Sequence, residues 1–340
     1  MMRAMASLER FALAPDLTIC RILNGMWQVS GGHGRINREK ALASMAAYVD
    51  AGFTTWDLAD HYGPAEDFVG EFRGRYADEH GEQGLRDLQF CTKWVPGPGP
   101  MPRSVVDAAI ATSRRRMATS TLDLLQFHWW DYADRRYLDA LAHLSDLRDA
   151  GAIRHLALTN FDTERLGGIL DHGIRVVSNQ VQFSLIDRRP EVRMAPFCRE
   201  RSVHLLAYGT ACGGLLSERY LGQPEPRGSA LNTVSLEKYK RMVDAWGGWS
   251  LVQELLAALN EVATRHTVGI TTVAIRWVLD RPAVAGAILG RRLGLSDHRE
   301  DDARVFAFVL GAEDHARIEA VLAKSRDLFS LIGDCGDEYR

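Results

Sequence analysis

Phe53-Thr54-Thr55-Trp56-Asp57-Leu58-Ala59-Asp60-His61-Tyr62-Gly63 is the stretch from which the rest of the chain can be read. Its first four residues are β-branched or aromatic, the types that favour a pleated strand. Gly63-Pro64 then breaks the run. A carboxylate, Asp57, thus leaves the end of a strand, and a phenol, Tyr62, follows five residues later. A free phenol has a pKa of about 10, and a neighbouring cation lowers it. A lysine brought to the same place would make Tyr62 a proton donor near neutral pH.

Working outward, short apolar runs alternate with helical periodicity along the whole chain. Strands are expected at 22–29, 53–57, 88–93, 122–129, 153–159, 176–182, 203–208 and 284–289. Helices are expected at 37–51, opened by Asn37 and closed by Gly52, then at 65–75, 102–117, 135–150, 162–171 and 190–201. Four more follow at 251–266, 271–280, 297–310 and 312–325. Residues 1–10 read as a flexible tail, 11–24 as a short hairpin around Pro15-Asp16, and 209–249 as a long insertion after the seventh strand. Eight strands alternating with helices indicate a parallel sheet, and the number eight suggests closure. The expected fold class is α/β, a (β/α)8 TIM barrel in one domain over 1–340, with an N-terminal hairpin and an extended loop after strand seven. The rival, an open doubly wound sheet, would show Gly-x-Gly-x-x-Gly after strand one. Ser30-Gly31-Gly32-His33-Gly34 does not have that spacing.

Composition narrows the function. The chain has 340 residues, 46% hydrophobic and 25% charged, with a formal charge of −3. That balance gives no reason to expect nucleic acid as a partner. No stretch is long and apolar enough to span a bilayer, and the N-terminus lacks a signal-peptide core. The five cysteines (Cys20, Cys91, Cys198, Cys212, Cys335) form no Cys-x-x-Cys pair. An odd, dispersed set suits the reducing cytoplasm and argues against disulfides or a metal. A monomer or small homo-oligomer acting on a small molecule is the expectation.

In such a barrel, chemistry sits where the strands end. Strand two supplies Asp57 and Tyr62, strand three Lys93, and strand four His128. Each has a plainer reading alone: a helix cap, a loop packing residue, a solvated lysine, a satisfied barrel histidine. Together, on consecutive strand ends, they form a constellation. Trp27, Trp56, Trp94, Trp129 and Trp130 also fall at or just after strand ends. They suggest a pocket walled by indoles, suited to apolar or aromatic carbonyl substrates, although strand alternation should turn Trp129 and Trp130 to opposite sides. Trp246 and Trp249, around Gly247-Gly248, suggest a lid with a hinge.

TTWDLADHYG, FCTKW, DLLQFHWWD, LALTNFD, SNQVQFSLIDRR, LLAYGTACGGLL, AIRWVLDRPAV and AILGRRLGLSDHREDD, in that order from residue 53 to about 302, resemble the aldo-keto reductase family. The resemblance implies hydride transfer between a nicotinamide dinucleotide and a carbonyl or alcohol. Tyr62 would protonate the carbonyl oxygen, Lys93 would lower the Tyr62 pKa, Asp57 would hold Lys93, and His128 would orient the substrate. It also implies cofactor contacts: Asp57, with Thr159, Asn160 and Gln180 at the carboxamide and Tyr208 stacked on the ring. Gly209, Thr210 and Leu215 would line the diphosphate, and Gly290, Arg291, Arg292, His298 and Asp302 the adenosine end. Two adjacent arginines suit a 2′-phosphate, hence NADP(H) over NAD(H). The chain departs from the family in having Leu58 for Thr, Gly209-Thr210 for Ser-Pro, and Asp302 for Asn. A dinucleotide-holding regulatory subunit and a lyase using Lys93 as a Schiff-base amine are the alternatives.

Overall fold

A computed structural model describes residues 7–31 and 36–339. The expected hairpin forms first, from β1 (Arg10–Ala14) and β2 (Leu17–Cys20), paired antiparallel. Eight parallel strands follow: β3 (Ile22–Gly25), β4 (Thr55–Asp57), β5 (Gln89–Trp94), β6 (Leu122–His128), β7 (Ile153–Thr159), β8 (Ser178–Gln182), β9 (His204–Tyr208) and β10 (Val284–Gly290). They close in sequence order, β10 pairing back onto β3, so the barrel has no free edge.

Helices α1 (Arg38–Asp50), α2 (Ala65–Gly84), α3 (Arg103–Arg116), α4 (Tyr137–Asp149) and α5 (Thr163–Asp171) follow the first five barrel strands. After β8 come α6 (Arg189–Val192) and α7 (Met194–Glu200), one expected helix broken in two at Arg193. After β9 come α8 (Val234–Trp246), α9 (Gly248–His266) and α10 (Ile270–Leu279); after β10, α11 (Arg299–Arg304), α12 (Ala312–Leu322) and α13 (Leu328–Ile332). Caps fix several starts. The Asn37 side chain accepts from the Lys40 amide, Asp162 from Arg165, and Thr233 from Leu236.

Two cores result. Inside the barrel, Leu13 and Leu17 of the hairpin plug one end against Leu23, Cys91, Leu124, Ala157 and Leu206. Between barrel and helices lies the larger core, which includes Trp56, Phe90, Leu125, Phe127, Leu156 and Leu205. Adjacent residues on one strand thus enter different cores, as pleating demands.

Several boundaries differ from the sequence reading. The first barrel strand ends at Gly25, and Trp27–Ser30 forms a 3-10 turn instead of continuing it. The tail stops short of residue 10: Glu9 pairs with Arg21 and Arg276, and Arg10 opens β1. Residues 1–6, and Gly32, His33 and Gly34 of the glycine-rich segment, lie outside the described residues. Helix α2 runs past Arg75, whose guanidinium bonds Glu39 and Glu71. The long insertion contains α8, which buries Leu236, Tyr239, Met242, Val243 and Trp246 at helical spacing. Trp246 is only 1% exposed. It is a core residue, so it does not serve as a lid.

Where α2 crosses α3, contact is made by backbone. A Cβ at Gly70 would lie 2.0 Å from the Arg116 carbonyl oxygen, whereas one at Gly74 would meet nothing within 4 Å. Gly70→Ala is expected to cost about 1–3 kcal/mol or more through overpacking. Gly74→Ala, in the same helix, should stabilise by about 0.5–1 kcal/mol. Urea unfolding midpoints of the two variants moving in the same direction would contradict this packing.

Candidate active site

Strand alternation builds the site directly. Cys91, Leu124, Ala157 and Leu206 face the barrel interior. Two residues further along the same strands, the same face carries Lys93, Gln126, Thr159 and Tyr208, with His128 one step beyond Gln126. Asp57 joins this face, being in register with Cys91. All of these lie at the ends of the strands away from the hairpin plug.

Asp57 is the hub. Lys93 Nζ donates to Asp57 Oδ1 at 2.5 Å and to the Leu58 carbonyl at 3.0 Å. Gln126 Nε2 and Gln180 Nε2 donate to Asp57 Oδ2 at 2.7 and 2.8 Å, and Gln180 Nε2 also to Gln126 Oε1 at 2.6 Å. The carboxylate and the ammonium are both almost fully buried. Such a pair is tolerated in an interior only when further hydrogen bonds satisfy it, which the two glutamines do.

Tyr62 lies beside this pair. The Lys93 ammonium is 5.2 Å from the centre of its ring. Trp27 stacks on the phenol at 6.0 Å, and His61 meets it edge-on at 4.8 Å. Burial, then the charges of Asp57 and Asp60, push the phenol pKa above its ordinary value. This reverses the expected acidification by Lys93. The physical reason is first burial, which penalises the phenolate, and then the negative charges of Asp57 and Asp60. His128 Nδ1 is 3.0 Å from the Thr159 carbonyl. A carbonyl oxygen can only accept, so Nδ1 carries the hydrogen of that bond. The ring is edge-on to Trp130 at 4.4 Å.

The tryptophans divide by parity. Trp56 packs against Tyr48 and Phe72, Trp94 against Phe127, and Trp129 against Phe127. All three are buried on the helix side of the wall, which removes them from the pocket. Trp27 and Trp130 are 37% and 43% exposed and flank Tyr62 and His128 at the mouth.

The residues expected to hold a dinucleotide fit one in part. Thr159 Oγ1 and Thr210 Oγ1 are buried hydroxyl oxygens without a hydrogen-bond partner among the described residues, a costly state that a polar ligand would relieve. Asn160 takes a left-handed conformation (φ 58°), and its Oδ1 accepts from the Tyr208 hydroxyl at 2.9 Å. Gly209 is also left-handed (φ 74°), and Tyr239 of α8 packs on it so closely that a Cβ would lie 2.4 Å from the Tyr239 hydroxyl. The Leu215 side chain is in the core, which leaves only its backbone for a ligand.

At the other end the expectation needs correcting. Arg291 is buried: Nε donates to Asn24 Oδ1 at 2.8 Å, and Nη1 pairs with Asp302 Oδ2 at 2.5 Å. Its guanidinium also lies over the Tyr48 ring at 4.5 Å. Arg291 and Asp302 therefore hold each other within the barrel wall, while Arg291 Nη2 is buried without a hydrogen-bond partner among the described residues. Arg292 and His298 are exposed, and Gly290 ends β10 beside the Gln28 side chain.

Sequence reading missed several neighbours. Gln126 was detectable, since it shares a face with His128 at period two. Arg189 was not. Its buried guanidinium pairs with Asp187 and Glu338 and donates to the Asp334 carbonyl, fastening the C-terminal tail over the mouth. From that tail the Tyr339 ring approaches those of His128 and Trp130, each at 6.5 Å, and its hydroxyl meets that of Tyr208 at 3.0 Å.

Comparison with known proteins agrees with this architecture. The flagellar radial spoke protein 5 of Chlamydomonas reinhardtii is 28% identical over 258 residues, covering 65% of this chain and 49% of that protein's length. The aldo-keto reductase YhdN of Bacillus subtilis is 25% identical over 316 residues, covering 89% of each chain. An aldo-keto reductase of Klebsiella pneumoniae, solved in complex with NADPH, superposes with a TM-score of 0.69 at 20% identity, over 93% of this chain and 95% of the other. The family model for the aldo/keto reductase family matches residues 21–323, and with the closed eight-stranded barrel this makes the chain a member of that family of oxidoreductases.

Proposed function

We propose that the whole chain works as one barrel unit that reduces an aldehyde or ketone to an alcohol, with NAD(P)H as hydride donor and Tyr62 as proton donor. The observation that carries this reading is the buried Asp57–Lys93 pair beside the Tyr62 ring. When bound, a reduced nicotinamide supplies a hydride, two electrons with one proton, to the carbonyl carbon and is left with a pyridinium charge. The chain's residues do the rest. Tyr62 gives its hydroxyl proton to the oxygen as the carbonyl π pair moves onto it. His128 and the neighbouring indole of Trp130 orient that oxygen. Thr159, Asn160, Gln180 and Tyr208 would hold the nicotinamide end, and Gly209, Thr210 and the Leu215 backbone the diphosphate.

The raised pKa of Tyr62 suits the reductive direction, because the proton is retained until an alkoxide, a far stronger base than a phenolate, develops beside it. Lys93 Nζ is held by two acceptors, Asp57 and the Leu58 carbonyl, an engagement that a Schiff-base nucleophile would have to break. With only two indoles left at the mouth, the preference for apolar or aromatic carbonyl compounds rests on Trp27 and Trp130. The preference for NADPH rests on Arg292 alone. The five cysteines are free and buried, in keeping with a cytoplasmic setting. No helix among the described residues is long and apolar enough to cross a membrane.

Three outcomes follow. Tyr62→Phe should lower turnover of aldehydes by about 10²–10⁴-fold and leave NADPH affinity, read by fluorescence quenching, within about twofold of wild type. The pH profile of kcat/KM for reduction should show no inflection between about pH 8 and about pH 10. An inflection there would mean that Lys93 outweighs burial and the two carboxylates. Arg292→Ala should weaken NADPH binding about tenfold, the scale of one exposed charge-assisted contact, with little change for NADH; equal loss for both would remove Arg292 from the 2′-phosphate.

A further inference from the structure

The C-terminal tail reaches into the space that the reaction needs. Its root is fixed. The Asp334 carboxylate accepts from the Thr163 amide at 3.0 Å, the Asp334 carbonyl accepts from Arg189 Nη1 at 3.0 Å, and Cys335 is buried. Gly336 then turns the chain with a left-handed φ of 88°, which glycine adopts without strain. Beyond that turn come Glu338 and Tyr339. Glu338 Oε2 accepts from Arg189 Nη2 at 2.9 Å, and its Oε1 lies 3.2 Å from the Tyr208 hydroxyl. The Tyr339 hydroxyl meets that of Tyr208 at 3.0 Å and accepts from Lys238 of α8. The Tyr339 ring stands edge-on to His128 and to Trp130, each at 6.5 Å, within the range of aromatic contact. One side chain thus bridges Tyr208, on the nicotinamide side of the mouth, and His128, on the substrate side.

We propose that Glu338 and Tyr339 form an autoinhibitory plug: the Tyr339 ring takes the place of the carbonyl compound beside His128, and Glu338 latches it there through Arg189. The inference rests on the reductive reading above, which puts the substrate oxygen at His128. The latch is built to open. Arg189 keeps a second carboxylate when Glu338 leaves, since Asp187 accepts from its Nε at 2.8 Å and from its Nη2 at 2.7 Å. Opening therefore strands no bare charge in the interior. The root at Asp334 stays in place while the tip swings about Gly336, a small residue at the end of a fixed segment. Substrate binds only the fraction of molecules whose plug is out, so its apparent affinity falls by that fraction. Saturating substrate holds the plug out, so the maximal rate is untouched.

A wall of the pocket predicts the opposite sign. If Tyr339 packed on a bound substrate, its removal would raise KM; removal of a plug lowers it. The test uses the full-length protein at saturating NADPH and follows NADPH oxidation with a panel of aromatic and aliphatic aldehydes, benzaldehyde among them. Tyr339→Ala removes the ring. Glu338→Gln keeps the ring and removes the charge that Arg189 holds. Loss of one charge-assisted hydrogen bond shifts a closed-to-open ratio about tenfold. Both variants should therefore show KM lowered about tenfold, with kcat within about twofold of wild type. A KM unchanged or raised in either variant overturns the plug and leaves carbonyl reduction standing. Turnover of no aldehyde by the wild type or by either variant would overturn carbonyl reduction itself and the plug with it.

Discussion

The structure depends on one buried carboxylate. Asp57 accepts from Lys93, Gln126 and Gln180, which stand on β5, β6 and β8. An ion pair removed from water loses several kcal/mol of hydration per ion, and removing one partner leaves a bare charge in the barrel. The polar cluster is therefore possible only because the barrel closes: β8 is four strands from β4 around the wall, and only across the interior can Gln180 reach Asp57. Closure in turn relies on the hairpin plug and the small interior residues Ala157 and Ala285, which fill the opposite end with apolar atoms. The barrel has a dry end and a polar end, and Asp57 marks the boundary.

That arrangement fixes what Lys93 can do. A lysine free to point at Tyr62 would lower its pKa. A lysine donating to Asp57 is held within an ion pair, and the phenol then responds to burial first and to the charges of Asp57 and Asp60 after it. The Asp57–Lys93 pair thus sets the polar groups beside the Tyr62 ring without acting on it as a free cation.

Much of this was legible in the sequence. The alternation of strands and helices gave the barrel, because each element carries its own periodicity. That Asp57, Tyr62, Lys93 and His128 would meet at one mouth could be read because they stand at or just beyond the ends of consecutive strands. What misled was side: Trp56, Trp94 and Trp129 sit at strand ends too, but on the odd phase of the pleat, facing helices. That phase was readable from Asp57, Lys93 and His128, their immediate neighbours in sequence. Arg291 misled differently. Nothing in Gly290-Arg291-Arg292 distinguishes a phosphate ligand from a core residue, because its partners Asn24 and Asp302 come from distant segments.

The second half of the mouth is assembled entirely by such distant contacts. Arg189 holds Glu338 and the Asp334 carbonyl across nearly half the chain, and this places Tyr339 against Tyr208 and Lys238. Local pattern cannot reveal these meetings: α8 shows only an apolar stripe, and the tail only a few acidic residues and a tyrosine. Their placement brings charge of both signs to one cluster of hydroxyls: Glu338 accepts from Tyr208, and Lys238 donates to Tyr339, whose hydroxyl meets that of Tyr208. Like the Asp57–Lys93 pair, this cluster sets an ammonium and a carboxylate within one hydrogen-bonded group whose members come from separate segments of the chain.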